Sequence, residues 1–336
     1  MTHFPDIFMI SPPAGEGDPA DESARVSRKC GLLRLLLVFL GGTLYAAALP
    51  PLNWNFLAFF TLVPLLLYAV NRTWRAAAFA GWLWGLGWAL FAFCFLREIH
   101  PAIPWLLAPI ISLWPAVWAA ALPWLWRNSL FPAEAEDGGF DARERFLHSP
   151  AAFFRLLLFS LSAAALFTLL EWTRSRLFPW NDFGVTMWRN TAMIQLAAFT
   201  GGYGVNFLVA LAGTGVAAAC RTRFRGPGLR VLLCVMLLLT LVMLGGLLRI
   251  VQYEPVRPNW FPALVQGDIS QRRNASLDEA QEALDVYLTL SSRAPQLVPK
   301  PELIVWPESA VPVPFRSTHP VSAAFRIGVA RLLSVR

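Results

Sequence analysis

Lysine is nearly missing from this chain of 336 residues: of 28 basic residues only Lys29 and Lys300 are lysines, the rest arginines. Charge of either sign is scarce, at 15% of residues, against about 25% in a soluble globular domain. Cysteine occurs four times, as Cys30, Cys94, Cys220 and Cys234, each in or beside an apolar run. That excludes a disulfide scaffold, and their spacing matches no metal motif. Read plainly, they are small polarizable core residues. The 22 glycines show no period, which excludes a collagen-like chain. What is abundant is apolar surface: 56% hydrophobic residues and a mean hydropathy of +0.51. Disorder over most of the chain is therefore excluded. The composition predicts a polytopic α-helical membrane domain with one modest soluble part.

The net charge of +7 does not point to nucleic acid. The arginines fall in the gaps between apolar runs and not along one face, so they read as topology. Residues 1–24 are rich in Pro, Gly, Asp and Glu without apolar periodicity, and residues 1–30 are read as a disordered cytoplasmic tail. Arg25, Arg28, Lys29 and Arg34 precede an apolar run that reaches Leu49. Ala46-Ala47-Ala48 resembles a cleavage site, but the many spans that follow favour a retained first span. Further spans are expected at Asn55–Val70, Ala76–Leu96, Pro104–Trp126, Leu156–Trp172, Thr191–Ala219 and Val231–Ile250. The sixth is long enough to break at Gly201-Gly202-Tyr203-Gly204. About seven spans follow, over residues 31–250.

Arginine is thin in the odd gaps (Arg97; Arg174, Arg176 and Arg189). It is denser in the even ones (Arg72 and Arg75; Arg127, Arg143, Arg145 and Arg155; Arg221, Arg223, Arg225 and Arg230). The N-terminus is then cytoplasmic, and residues 251–336 lie across the membrane, in the periplasm of a double-membrane bacterium. In that tail, Trp260–Gln266 and Leu303-Ile304-Val305-Trp306 read as buried strands. Ser276 with Glu279 forms a capping box ahead of a helix, and Ser322–Leu333 reads as another. Strand, helix, strand at this spacing predicts neighbouring parallel strands with exposed sheet edges and an uncovered face.

Functional groups of open α/β sheets lie beyond the carboxyl ends of the strands. Glu308 stands there, in Trp306-Pro307-Glu308-Ser309-Ala310. Burial against Trp306 would raise its pKa and suit it to general-base work; on position alone a solvated loop carboxylate is the commoner case. Phe178-Pro179-Trp180 occupies an outside loop: an interfacial aromatic belt, or a contact for a lipid. Glu171 and Arg174, three apart on a helix end, read as a local ion pair before a catalytic one. Arg97, Glu98 and His100 read as a solvated turn. Ser309 and His319 lack the acidic partner and elbow of a serine hydrolase. A transporter is disfavoured, because the span interiors hold almost no ionisable groups. No sugar-nucleotide motif supports a polyprenol-linked glycosyltransferase.

Several of these stretches together resemble the apolipoprotein N-acyltransferases, the membrane-anchored branch of the nitrilase superfamily. They are Leu264-Val265-Gln266-Gly267-Asp268-Ile269-Ser270-Gln271, the helix with Tyr287, and Leu303 through Ala310. In the membrane part they are Ala48-Leu49-Pro50-Pro51, Gly81-Trp82-Leu83-Trp84-Gly85, Glu171-Trp172 with Arg174, Phe178-Pro179-Trp180, and Gly204-Val205-Asn206-Phe207-Leu208. The resemblance covers roughly residues 31–315. It implies that residues 251–336 are the first part of an α/β nitrilase-like domain with a Cys-Lys-Glu triad. The implied reaction moves an acyl chain from a phospholipid to the N-terminal diacylglyceryl-cysteine of an apolipoprotein, through a Cys thioester, in the bacterial inner membrane.

Glu308 falls on the family's base, and Phe178 and Trp180 are the candidate substrate contacts; no metal or cofactor is implied. The departures are equally specific. No cysteine follows Cys234, Lys300 precedes the second strand, and Gln271 to Asp278 contains none of the Trp expected after the Gln-Gly motif. The expectation is a C-terminally incomplete member, inactive alone. The alternative is a non-catalytic membrane relative that binds lipid or lipoprotein.

Overall fold

The computed structural model describes residues 19–130, 150–254, 260–269, 276–308, 310–311 and 313–334. The chain divides into two compact units, Met1–Tyr253 and Glu254–Arg336.

The first unit is helical. Helix α1 runs Pro19–Ala48. Residues 19–30, expected within the tail, lie in this helix, and Pro19 opens it at the first position, where a missing N–H costs nothing. Residues 1–18 lie outside the described ones. A 3-10 turn, Asn55–Phe59, leads into α2, Val63–Ala69. Helix α3, Trp74–Ala92, starts where the Thr73 side chain accepts from the Ala76 N–H at 3.4 Å. Helices α4 (Ile103–Ile111) and α5 (Leu113–Leu130) break only at Ser112. Pro115 has no N–H to give the Ile111 carbonyl four residues earlier, which accounts for the break. Helix α6 runs Pro150–Ser175.

The expected sixth run is divided into α7 (Thr191–Ile194), α8 (Ala197–Thr200) and α9 (Gly202–Arg221). Gly201 at φ +65° makes the anticipated break, in a region that glycine enters without strain. Helix α10 runs Gly226–Val251.

Among the described residues, five helical stretches are long and apolar enough to cross a membrane: Cys30–Ala48, Ile103–Ser129, Pro150–Ser175, Gly202–Arg221 and Gly226–Val251. Helix α3 is not among them, because three glycines, four tryptophans and Arg75 lower its mean hydropathy. The second expected span, Asn55–Val70, falls on a shorter apolar stretch, Asn55–Ala69.

Packing in this unit rests on small residues, as expected where helices gain nothing by leaving lipid for one another. Helix α3 packs on α1 and on α5. A Cβ at Gly42 would overlap the Trp84 carbonyl, and one at Gly87 would overlap the Phe39 carbonyl, so backbone meets backbone from both sides of the α1–α3 contact. Both obstacles are main chain and cannot rotate away. Gly42→Ala is expected to cost about 1–3 kcal/mol by overpacking, read as a lower midpoint of thermal unfolding in detergent. A midpoint equal to wild type would show that α1 and α3 separate freely.

In the second unit, β1 (Pro262–Leu264) and β2 (Leu303–Val305) pair in parallel, with Ala263 opposite Ile304, as the spacing predicts. Helix α11 (Leu277–Ser292) lies between them in sequence, and its capping box is complete. The Ser276 Oγ accepts from the Glu279 N–H at 3.1 Å, and the Glu279 carboxylate accepts from the Ser276 N–H at 2.8 Å. Helix α12 (Pro320–Ser334) packs on α11 around Leu284, Val311 and Val321. The strands are less buried than expected: Leu264 is 78% exposed, and Leu303 and Val305 are exposed too. Among the described residues of this unit, the two strands have one helical layer beside them.

Candidate functional site

Helix α6 carries Glu171 and Arg174 three residues apart, one turn from its end. Both are buried, Arg174 completely. A buried guanidinium must spend its five fixed N–H donors on partners, and here it does. Its Nε donates to Glu171 Oε1 at 2.9 Å and its Nη2 to Glu171 Oε2 at 3.1 Å, the planar two-point geometry that lysine lacks. Nη2 also donates to Asp182 Oδ1 at 2.7 Å. Nη1 donates to two main-chain carbonyls, Phe178 O and Trp180 O, each at 2.9 Å. The guanidinium carbon lies 5.1 Å from the centre of the Trp88 ring. The Glu171–Arg174 pair of the sequence reading is therefore the centre of a network that holds the next loop by its backbone.

The same loop is tied from other elements. Tyr45 on α1 donates to Asn181 O at 2.7 Å, and Asn181 Nδ2 donates to Ala92 O at 2.9 Å. Asn181 takes φ +57°, which asparagine tolerates better than most residues. The Phe183 N–H donates to Glu171 Oε2 at 3.2 Å. Asn55 Nδ2 donates to Thr186 O, and the Gly184 N–H donates to Asn206 Oδ1 on α9. Trp188 Nε1 reaches Asn53 Oδ1 at 2.7 Å. Tyr45 itself stacks on Trp84 and Trp88.

On this frame Phe178 is half-buried, edge-on to Trp114, whose Nε1 donates to Thr173 Oγ1. Trp180 is 48% exposed, edge-on to Phe95. The two aromatics thus share one anchored loop. Arg97 and Glu98 form an exposed pair, and His100 Nδ1 accepts from the Ala102 N–H, the solvated turn expected.

Asp182 lies beyond the spanning helix. Burial and the neighbouring Glu171 carboxylate push its carboxyl above the usual value, and Arg174 only partly opposes them. Over the window between the ordinary carboxylate value, about 3.9, and Asp182's own raised value, the folded chain holds a proton that the unfolded chain has lost. Rising pH therefore removes stability across that window. Asp182→Asn keeps an oxygen for Arg174 and is expected to flatten this slope. Thermal unfolding midpoints followed with pH check it, and parallel profiles for the two proteins would refute it.

In the second unit, the Trp306 ring lies between Tyr287 and Phe325, with ring centres 5.2 Å and 5.6 Å away, and its Nε1 donates to Ser291 Oγ at 2.8 Å. Glu308 stands just past β2, as expected, but it is exposed. The anticipated burial against Trp306 is absent, because that ring is committed to the helices. Ser309 lies outside the described residues. His319 Nδ1 accepts from the Val321 N–H at the start of α12, a capping role. The free cysteines, Cys30, Cys94, Cys220 and Cys234, all belong to the first unit. Among the described residues, no group of three His, Cys, Asp or Glu could hold a metal ion.

Residues 41–215, which include the Arg174 network, match the family model described as the apolipoprotein N-acyltransferase N-terminal domain. The chain belongs to the apolipoprotein N-acyltransferase family. Among its relatives, the apolipoprotein N-acyltransferase of Geobacter metallireducens is 30% identical over 315 residues, covering 89% of this chain and 55% of that protein. That of Rhizobium leguminosarum bv. trifolii is 30% identical over 324 residues, covering 86% and 54%. That of Allorhizobium ampelinum is 28% identical over 311 residues, with the same two shares. The chain spans about half the length of the curated apolipoprotein N-acyltransferases it matches. Together with the five long apolar helices, this makes it a multi-pass membrane protein.

Sequence reasoning missed Tyr45, Asn181, Asp182 and Asn206 as parts of the loop's anchorage. The available signal was polarity within apolar surroundings: Asn206 interrupts an otherwise apolar run, and Asp182 offers Arg174 a second carboxylate eight residues on.

Proposed function

We propose that this chain acts in lipoprotein maturation, in the transfer of an acyl chain from a phospholipid to the diacylglyceryl-cysteine amine of an apolipoprotein. In this reading it crosses the bacterial inner membrane about seven times, with its N-terminus in the cytoplasm. Residues 251–336 are then a periplasmic, nitrilase-like segment. Phe178 and Trp180 contact the acyl donor. Glu308 is the general base that deprotonates a cysteine thiol. The thiolate attacks the donor ester carbonyl, the lysophospholipid alkoxide leaves with a proton, and the acceptor amine then displaces the thiol from the thioester.

The observation that carries the reading is Glu308 at the exit of a parallel β-α-β strand, in a chain whose membrane unit matches this family. The segment 251–336 holds no cysteine. Residues 1–336 alone are therefore expected to form no thioester.

The test uses two proteins: residues 1–336, and a chimera that continues after Ala310 with the corresponding remainder of the Geobacter metallireducens relative. Each is given a phospholipid with a fluorescent acyl chain and a diacylglyceryl-cysteine peptide. Transfer by the chimera and none by residues 1–336 is the expected result. Transfer by residues 1–336 would overturn the missing thiol. An inert chimera that still binds the phospholipid would favour a non-catalytic lipid-binding relative.

A further inference from the structure

We propose that Arg174 is a positioning residue for the acyl donor, fixing through the carbonyls of Phe178 and Trp180 the loop on which the lipid chain is received. The inference rests on the reading of Phe178 and Trp180 as donor contacts and adds the group that sets their geometry.

Three observations support it. Arg174 is fully buried, so it does not meet the lipid itself and acts only through what it holds. Its Nη1 bonds the carbonyls of the two donor-contacting residues and skips the one between them, at 2.9 Å each. Pro179 fixes its own φ, and the two bonds set the peptide orientations on either side, so the directions of both aromatic side chains follow. The remaining donors are held by Glu171 and Asp182, and Glu171 also takes the Phe183 N–H on the far side of the loop. The loop is thus clamped at 178, 180, 182 and 183 from one helix turn. An exposed tryptophan on a free loop would sample many orientations, and ordering it at binding would cost affinity. Here the ordering is built in.

Arg174→Lys keeps the charge but not the fork, so it cannot reach two carbonyls and two carboxylates together. The probe is an equimolar mixture of phosphatidylethanolamine and phosphatidylglycerol, each with a diazirine at the end of one acyl chain, photolysed with residues 1–336 in detergent micelles. Labelling of the peptide that contains Phe178 and Trp180 is divided by labelling of α10, whose Leu233, Leu237 and Leu241 are exposed. In wild type the loop is expected to be labelled above α10. Arg174→Lys is expected to lower the ratio by roughly tenfold, since the point charge loses the clamp. Trp180→Ala lowers it at unchanged melting temperature. Asp182→Asn, which keeps the oxygen but takes the charge from one anchor, lowers it by roughly twofold, in proportion to one weakened charge-assisted bond, and stands in where the lysine variant does not fold. A ratio unchanged in both Arg174→Lys and Asp182→Asn, with the wild-type loop labelled, overturns the positioning role and leaves the donor contacts standing. A wild-type loop that takes no label while α10 does overturns the donor contacts themselves, and the inference with them.

Discussion

Glu308→Gln in the chimera is expected to lower acyl transfer by about 10²–10⁴-fold, the usual contribution of a positioned proton acceptor. The glutamine is the same size and keeps one oxygen, so packing and lipid binding stay as they were. What it loses is the ability to take the thiol proton, and a thiol is a far weaker nucleophile than its thiolate. The loss should therefore fall on the turnover number and on the rate of thioester formation, with the apparent affinity for the phospholipid unchanged. A rise in KM alone would mean that Glu308 binds and does not act as a base. Unchanged transfer would make it an ordinary solvated carboxylate beyond a strand, a role its exposure here also permits.

Arg174→Met is expected to destabilise the membrane unit by about 3–5 kcal/mol, the cost of leaving buried charge without its partner. One guanidinium serves the two carboxylates of Glu171 and Asp182. Without it, the buried Glu171 carboxylate and the partly exposed Asp182 carboxylate face each other, and two carbonyls lose their donor. Methionine fills most of the volume, so the effect is electrostatic. The triple variant Arg174→Met with Glu171→Gln and Asp182→Asn removes the orphaned charges and should recover part of the loss. Thermal unfolding in detergent measures both. Equal midpoints for wild type and Arg174→Met would show that water reaches the cluster and screens it.

Much of the helical part of the fold was legible because lipid-facing helices are written in long apolar runs, and the break at Gly201 was read from its glycine; the break before Pro115 was not, and fell inside one expected span, Pro104–Trp126. The parallel pairing of β1 and β2 was legible from spacing alone. The Arg174 network was visible only as a pair. Glu171 and Arg174 are three residues apart and read as local, whereas Tyr45, Asn55 and Asn206 reach the loop from three other helical elements. No periodicity encodes contacts at those separations. Glu308 was placed correctly at its strand exit, but its surroundings were not. Trp306 adjoins it in sequence, yet the ring finds Tyr287 and Phe325, and adjacency along a chain does not set which surface a side chain joins.

The polar anchoring of the 178–182 loop falls on main-chain carbonyls, on the Asn181 amide and on Asp182. A carbonyl is common to every amino acid, so the clamp is indifferent to what projects from positions 178 and 180. Trp180, about half exposed, can be exchanged for a smaller, larger or more polar side chain while that scaffold persists, whereas Phe178 is half-buried against Trp114 and the core. On the proposed reading of Trp180 as a contact for the acyl donor, substitutions there would change the lipid contact while the main-chain clamp beneath it persists.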